Sequence, residues 1–176
     1  SKVDGLDVAS SKELDIALET GVNPKTISFA GPGKRTEELL HAITANVTIN
    51  IESANELETI AGLCKKQNKK ARVAVRVNPD FELKTSGMKM SGGPRQFGVD
   101  AEQVPAILAR IGQLDLNFIG FHIFSGSQNL RVEAIKEAQS KTIDLAYKLS
   151  KYVPSPIQSV NIGGGFGIPY FPGDVP

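Results

Sequence analysis

The stretch VTINIESANELETIAGLCKKQNKKARVAVRV, residues 47–77, reads as a strand, a helix and a second strand. Its first five residues and its last six are short apolar runs rich in β-branched side chains. Between them Leu57, Ile60, Ala61 and Cys64 recur at the three- and four-residue spacing of one helical face. Ser53 and Glu56 stand where a helix start places a side-chain acceptor and its reciprocal partner. The same unit repeats in both directions. Strand-like runs occupy residues 5–9, 26–30, 118–124 and 159–162. Apolar helical faces are carried by Leu14, Ala17 and Leu18, by Val104, Ile107, Leu108 and Ile111, and by Ile135, Ala138, Thr142 and Leu145. Ser10 with Glu13 and Asp100 with Gln103 repeat the start signal, and Gly21 supplies a stop.

Strand–helix alternation of this kind builds a parallel sheet with right-handed crossovers, either a doubly wound open sheet or a (β/α) barrel. Six such runs fall short of the eight strands that a closed barrel needs, so the choice is an open sheet or a barrel with pieces absent. Residues 80–99, polar and rich in Gly, Lys and Ser, form a long insertion after the fourth strand and are expected to be a mobile active-site loop.

Composition narrows the function by exclusion. The chain has 176 residues, 40% of them hydrophobic and 22% charged, enough for one packed domain with no membrane-length apolar run. Twenty basic against nineteen acidic residues leave a net charge of +1, without the basic face that nucleic acid requires. One cysteine, Cys64, excludes an intrachain disulfide, and two histidines, His41 and His122, leave no zinc-type cluster. The cytoplasm is the expected compartment.

In either architecture binding groups gather where strands end. The run Gly163-Gly164-Gly165 lets backbone amides approach an anion, as a phosphate cradle or simply as a tight turn. It is not a dinucleotide fingerprint, because Ile168 stands where the last glycine belongs. Gly31-Pro32-Gly33-Lys34 is not a P-loop: Ser28 replaces the first glycine and Arg35 the magnesium-binding hydroxyl, leaving a rigid turn with a solvated lysine. His122 is either an acid/base or ring-stacking group or a hydrogen-bonded core residue. Arg76, inside an apolar run, needs a carboxylate or an anionic ligand, and Asp7 is the candidate carboxylate. Cys64 lies on an apolar helical face and reads as core.

Taken together these segments resemble a known family. Leu6-Asp7-Val8-Ala9-Ser10, Phe29-Ala30-Gly31-Pro32-Gly33-Lys34, Asn50-Ile51-Glu52-Ser53, Arg76-Val77-Asn78-Pro79, Gln96-Phe97-Gly98, Gly120-Phe121-His122 with Gly126-Ser127-Gln128, and Ile162 through Tyr170 occur in the order found in pyridoxal-phosphate-dependent decarboxylases of the alanine-racemase-like barrel class, the diaminopimelate/ornithine decarboxylase family. The resemblance implies a partial TIM (β/α)8 barrel over residues 1–176, truncated at both ends, with pyridoxal 5'-phosphate as cofactor. It implies that Ser127, Gly163, Gly164 and Gly165 hold the phosphate, that Asp7 and Arg76 lie close to the pyridoxal ring, and that His122 lines the site. It places no catalytic residue in this chain, since the family's Schiff-base lysine ends a strand expected upstream of Asp7, and the C-terminal β-domain with its partner-subunit groups is expected beyond Pro176. Where the family has a ring-stacking histidine two positions after His122, this chain has Phe124, which keeps an aromatic face and loses a titratable group.

Phe124, Ser127-Gln128-Asn129-Leu130 and the stretch from Lys89 to Gly98 are similar to a subgroup that includes the butirosin-pathway decarboxylase of a carrier-bound glutamyl group and the exosortase-associated decarboxylases. The resemblance thus implies a homodimeric decarboxylase acting on a free amino acid or on an aminoacyl group tethered to a carrier protein, which Lys84, Lys89 and Arg95 would contact. A non-catalytic, protein-binding homologue and an amino-acid racemase are the alternatives on the same barrel.

Overall fold

The structure, a computed structural model, describes residues 3–81 and 97–171. Strands and helices alternate as β1 (Leu6–Val8), α1 (Ser11–Glu19), β2 (Ile27–Phe29), α2 (Thr36–Ala45), β3 (Thr48–Ile51), α3 (Ala54–Gln67), β4 (Arg72–Asn78), β5 (Val99–Asp100), α4 (Val104–Gln113), β6 (Asn117–Ile123), α5 (Val132–Leu149) and β7 (Ser159–Asn161). Every strand pairing is parallel, in the order β1-β2-β3-β4-β6-β7, with β5 set beside the end of β4. All six expected strands are present to within a residue or two. The two-residue β5 was not expected, because so short a segment has no period to read. Helix α2 was not singled out either, although its buried Leu39, Ala42 and Ile43 recur at helical spacing. Of the long insertion, residues 82–96 lie outside the described residues.

One side of the sheet shares a core with the helices. Ile27, Phe29, Ile49, Ile51, Val73, Val75, Phe121 and Ile123 pack with Leu14, Leu57, Ile60, Leu108 and Ile111, all nearly inaccessible to water. Cys64 belongs to this core, and burial pushes its thiol above the ordinary range. The alternate residues of the same strands face the other way and are polar or small: Ser28, Asn50, Arg72, Ala74, Arg76 and His122. A sheet with helices against one face and polar groups on the other is the wall of a barrel, not the middle layer of a doubly wound fold. Its curl is strong enough that Asp7 on the β1 edge accepts hydrogen bonds from Asn161 on the β7 edge, 2.9 Å to each carboxylate oxygen.

Local signals mostly act as expected. Ser10 and Ser53 accept from the amides of Glu13 and Glu56, each at 3.2 Å. The two glutamates reach back one residue further than a capping box requires, to the amides of Ala9 and Glu52, at 2.6 and 2.9 Å. Gly21 follows α1 with φ +75°, a left-handed stop. Asp100 does not cap α4. Its carboxylate accepts from Asn78 Nδ2 at 2.6 Å, and the helix starts four residues later, at Val104, with Pro105 in its first turn. Lys34 is not solvated either: its ammonium is buried and bonds the carbonyls of Gly31 and Asn50, at 2.5 and 2.9 Å, and Glu56 at 3.1 Å. Among the described residues no helix is long and apolar enough to cross a membrane.

Candidate functional site

The carboxyl ends of β3, β4, β6 and β7 bring the charged and glycine-rich segments together. Glu52 follows β3 directly and its side chain is only 2% exposed. Its Oε1 accepts from Arg76 Nη1 at 2.9 Å and from the Gly31 amide at 2.5 Å, and its Oε2 accepts from the Gly98 amide at 2.9 Å. Arg76 therefore has a carboxylate partner, as a guanidinium in an apolar strand must, but that partner is Glu52 and not Asp7. Asp7 lies on the far edge strand and is turned toward Asn161, whose Oδ1 in turn accepts from the Gly163 amide at 2.8 Å. The ring of Phe97 lies 4.9 Å from the Arg76 guanidinium carbon and covers it.

His122 sits in register between Arg76 on β4 and Asn161 on β7. It is buried, and its Nδ1 has no hydrogen-bond partner among the described residues. Burial holds its pKa below the ordinary 6.5, and the Arg76 charge pushes the same way, while Asp7 and Glu52 oppose and Lys34 adds a smaller push down. The ring is neutral at pH 7. Because the unfolded chain takes up a proton that the native imidazole refuses, stability is lost as pH falls below about 6.5. We expect the melting temperature of a His122→Gln variant to fall less between pH 7.5 and 5.5 than that of the parent; parallel pH curves for the two proteins would contradict this.

Past the strand ends, two loops are stitched together. Phe124, half-buried, opens the loop after β6 and lies under Gly163, where a Cβ would come within 2.6 Å of its ring. Gly163 has φ +72° and Gly165 φ +95°, both in the left-handed region, and a Cβ on Gly165 would run into the Gly126 carbonyl oxygen. The Asn129 amide donates to the Gly165 carbonyl and the Gly167 amide to the Asn129 carbonyl, each at 2.8 Å. Gln128 clasps the Ile168 backbone with both ends of its amide. Gly164, between the two constrained glycines, is exposed and has no atom within 4 Å of where a Cβ would stand. Ser127 lies in the facing turn, half-buried. Among the residues singled out from the sequence, Arg76, His122, Phe124, Ser127, Gly163, Gly164 and Gly165 all lie at or just beyond these strand ends. Asp7 reaches them only through Asn161.

A hollow of about 490 Å³ opens on the concave face toward the amino ends of the strands, lined by Asp4, Lys25, Thr48, Arg72, Ile119 and Ser159 and reaching Asp7 and Asn161. In a complete barrel such space is filled by side chains from the remaining strands, so we assign the site to the strand ends.

The family model for the pyridoxal-binding domain of pyridoxal-dependent decarboxylases matches residues 4–175. The chain belongs to that family. The domain is 40% identical over 169 residues to the L-glutamyl-[BtrI acyl-carrier protein] decarboxylase of Niallia circulans, covering 95% of this chain and 40% of the relative. It is 36% identical to the diaminopimelate decarboxylase of Aquifex aeolicus, covering 97% of this chain and 41% of that protein. Its backbone superimposes on the crystal structure of M. jannaschii diaminopimelate decarboxylase in complex with L-lysine with a TM-score of 0.80 at 34% identity, over 96% of this chain and 40% of that one. The pyridoxal-binding domain thus has the partial TIM-barrel fold and spans about two fifths of the length of these relatives.

Two residues central to this geometry were passed over as site residues in the sequence. Glu52 and Asn161 each stand at the end of an apolar run, the position that marks strand-end chemistry, but nothing local reveals which partners lie across the sheet.

Proposed function

We propose that this domain binds pyridoxal 5'-phosphate at its strand ends and, within the complete protein, belongs to a homodimeric decarboxylase of an amino acid or a carrier-tethered aminoacyl group. The observation that carries the proposal is the stitched pair of loops: two glycines held left-handed with an open glycine between them, packed on the turn that carries Ser127 and two strands along from Arg76. The residues fit the cofactor. Gly164 leaves open space for an anion that a side chain would fill, Ser127 offers a hydroxyl, and the orphan His122 Nδ1 offers a buried polar contact. Phe124 presents an aromatic face to a planar ring and holds no proton for it. Arg76 and Asp7 flank the ring, with Arg76 supplying fixed positive charge.

Pyridoxal phosphate, when bound, supplies the electron sink that takes up the pair left by departing carbon dioxide. The chain's own residues anchor, orient and desolvate it. The names of the relatives put diaminopimelate and a carrier-bound glutamyl group first among substrates; the carrier contact through Lys84, Lys89 and Arg95 falls on residues outside those described. A cytoplasmic location is in keeping with the single, unpaired Cys64.

The test is pyridoxal phosphate binding and carbon dioxide release by the full-length protein, with diaminopimelate, ornithine, lysine and carrier-bound glutamate as substrates. Saturable binding together with carbon dioxide release from one of them is expected. Binding without release from any of them would favour a racemase or a non-catalytic homologue, and absence of binding would overturn the proposal.

A further inference from the structure

Given a pyridoxal site at Arg76, as proposed above, we infer that Glu52 is the positioning residue of that site: it fixes the Arg76 guanidinium and the Gly31 and Gly98 backbone as one unit. Three separate elements converge on one carboxylate. The amide of Gly31, in the turn after β2, and Nη1 of Arg76, on β4, share Oε1, while the amide of Gly98, just before β5, takes Oε2. Both oxygens are therefore committed, and the side chain is almost completely shielded from water. A carboxylate in that setting is retained only if its donors satisfy it, and its donors are held only while it stays.

The geometry gives Arg76 one defined pose. Glu52 anchors one guanidinium nitrogen from within the wall, and the ring of Phe97, next to the anchored Gly98, covers the group. Phe97 and Arg76 are thus ordered by the same carboxylate. Lys34 and Glu56 form a second buried ion pair nearby, so Lys34 does not compete for Glu52. An arginine with several rotatable bonds would otherwise sample many poses at a strand end, and a group pre-oriented by a second residue binds an anionic or planar partner without that loss.

Glu52→Gln keeps the volume and replaces one acceptor oxygen by a donor, so it cannot serve all three partners at once. In the full-length protein, Glu52→Gln is expected to raise the pyridoxal phosphate dissociation constant, measured by equilibrium dialysis, by roughly tenfold. Arg76→Gln should raise it at least as much, and the double variant should be no worse than Arg76→Gln alone, because Glu52 acts through Arg76. Glu52→Asp should recover part of the affinity. Ile60→Val, a mild change in the core of the same helix layer, should lower the melting temperature and leave the dissociation constant unchanged, separating positioning from general destabilisation.

Independent, additive losses from the two single variants would overturn the inference, and so would a Glu52→Gln protein that binds normally while Arg76→Gln does not. If the full-length protein binds pyridoxal phosphate and neither variant changes its affinity, the placement of Arg76 at the site falls, and the inference falls with it.

Discussion

Lys34→Met should cost about 3–5 kcal/mol of folding stability at pH 7, the range for removing one partner from a buried ion pair. The Lys34 and Glu56 side chains are only 1% and 9% exposed, and they meet at 3.1 Å. Lys34 also bonds two carbonyls and lies 5.7 Å from the centre of the Phe29 ring. Burial already raises the Glu56 pKa above its ordinary 4.5, and Lys34 is the main group holding it down. Without Lys34 the native carboxyl keeps a proton that the unfolded chain has released. The native state then binds more protons, so the variant gains stability relative to the parent as pH falls. Urea denaturation at pH 7 and at about pH 5.5 should therefore show a smaller gap between the two proteins at the lower pH. An equal gap at both would mean that Glu56 does not feel the loss of its partner.

Gly165→Ala is the second large effect, and Gly164→Ala is its control. At Gly165 an added methyl meets both a left-handed φ of +95° and the Gly126 carbonyl, so the loop must move and the stitch between Asn129 and Gly165 must open. The strain alone is worth about 1–2 kcal/mol for a residue forced left-handed. We expect pyridoxal phosphate affinity to drop by at least about tenfold while the helical content is kept, since the loop lies beyond the strands. At Gly164 the methyl enters open space, so the melting temperature should not change. Any loss of affinity in that variant then reports an anion that lies where the methyl now stands. Calorimetry and a cofactor titration on the pair decide the matter: unchanged affinity in both variants would move the phosphate away from this turn.

Most of the fold could be read from the sequence, since apolar runs and helical faces are local patterns and burial on one face imposes them. What stayed hidden was decided across the sheet. Asp100 carries a good capping pattern, yet Asn78, 22 residues back, takes its carboxylate first. Lys34 looks like a solvated turn lysine until α3 brings Glu56 over it. Arg76 demanded a carboxylate, and the sequence pointed to Asp7. Register places Glu52 on the neighbouring strand end, while the barrel's curl gives Asp7 to Asn161. The glycine run could be recognised as a possible anion cradle; which glycines are structurally constrained and which is open depends on Gly126 and Phe124 in another loop.

The spatial order of the main strands is the order of the chain, and this bears on how the protein is made. Each strand from β2 onward pairs with a main strand already synthesised, and among the described residues one α-helix lies between each main strand and the next. A chain emerging from the ribosome at about 5–20 residues per second can add one strand–helix unit at a time to an existing edge, and no strand waits for a later neighbour. The Asp7–Asn161 bond is the exception: it joins residues 154 apart and forms only when β7 arrives. Within the described strands, synthesis would thus extend the wall progressively and tie β1 to β7 last.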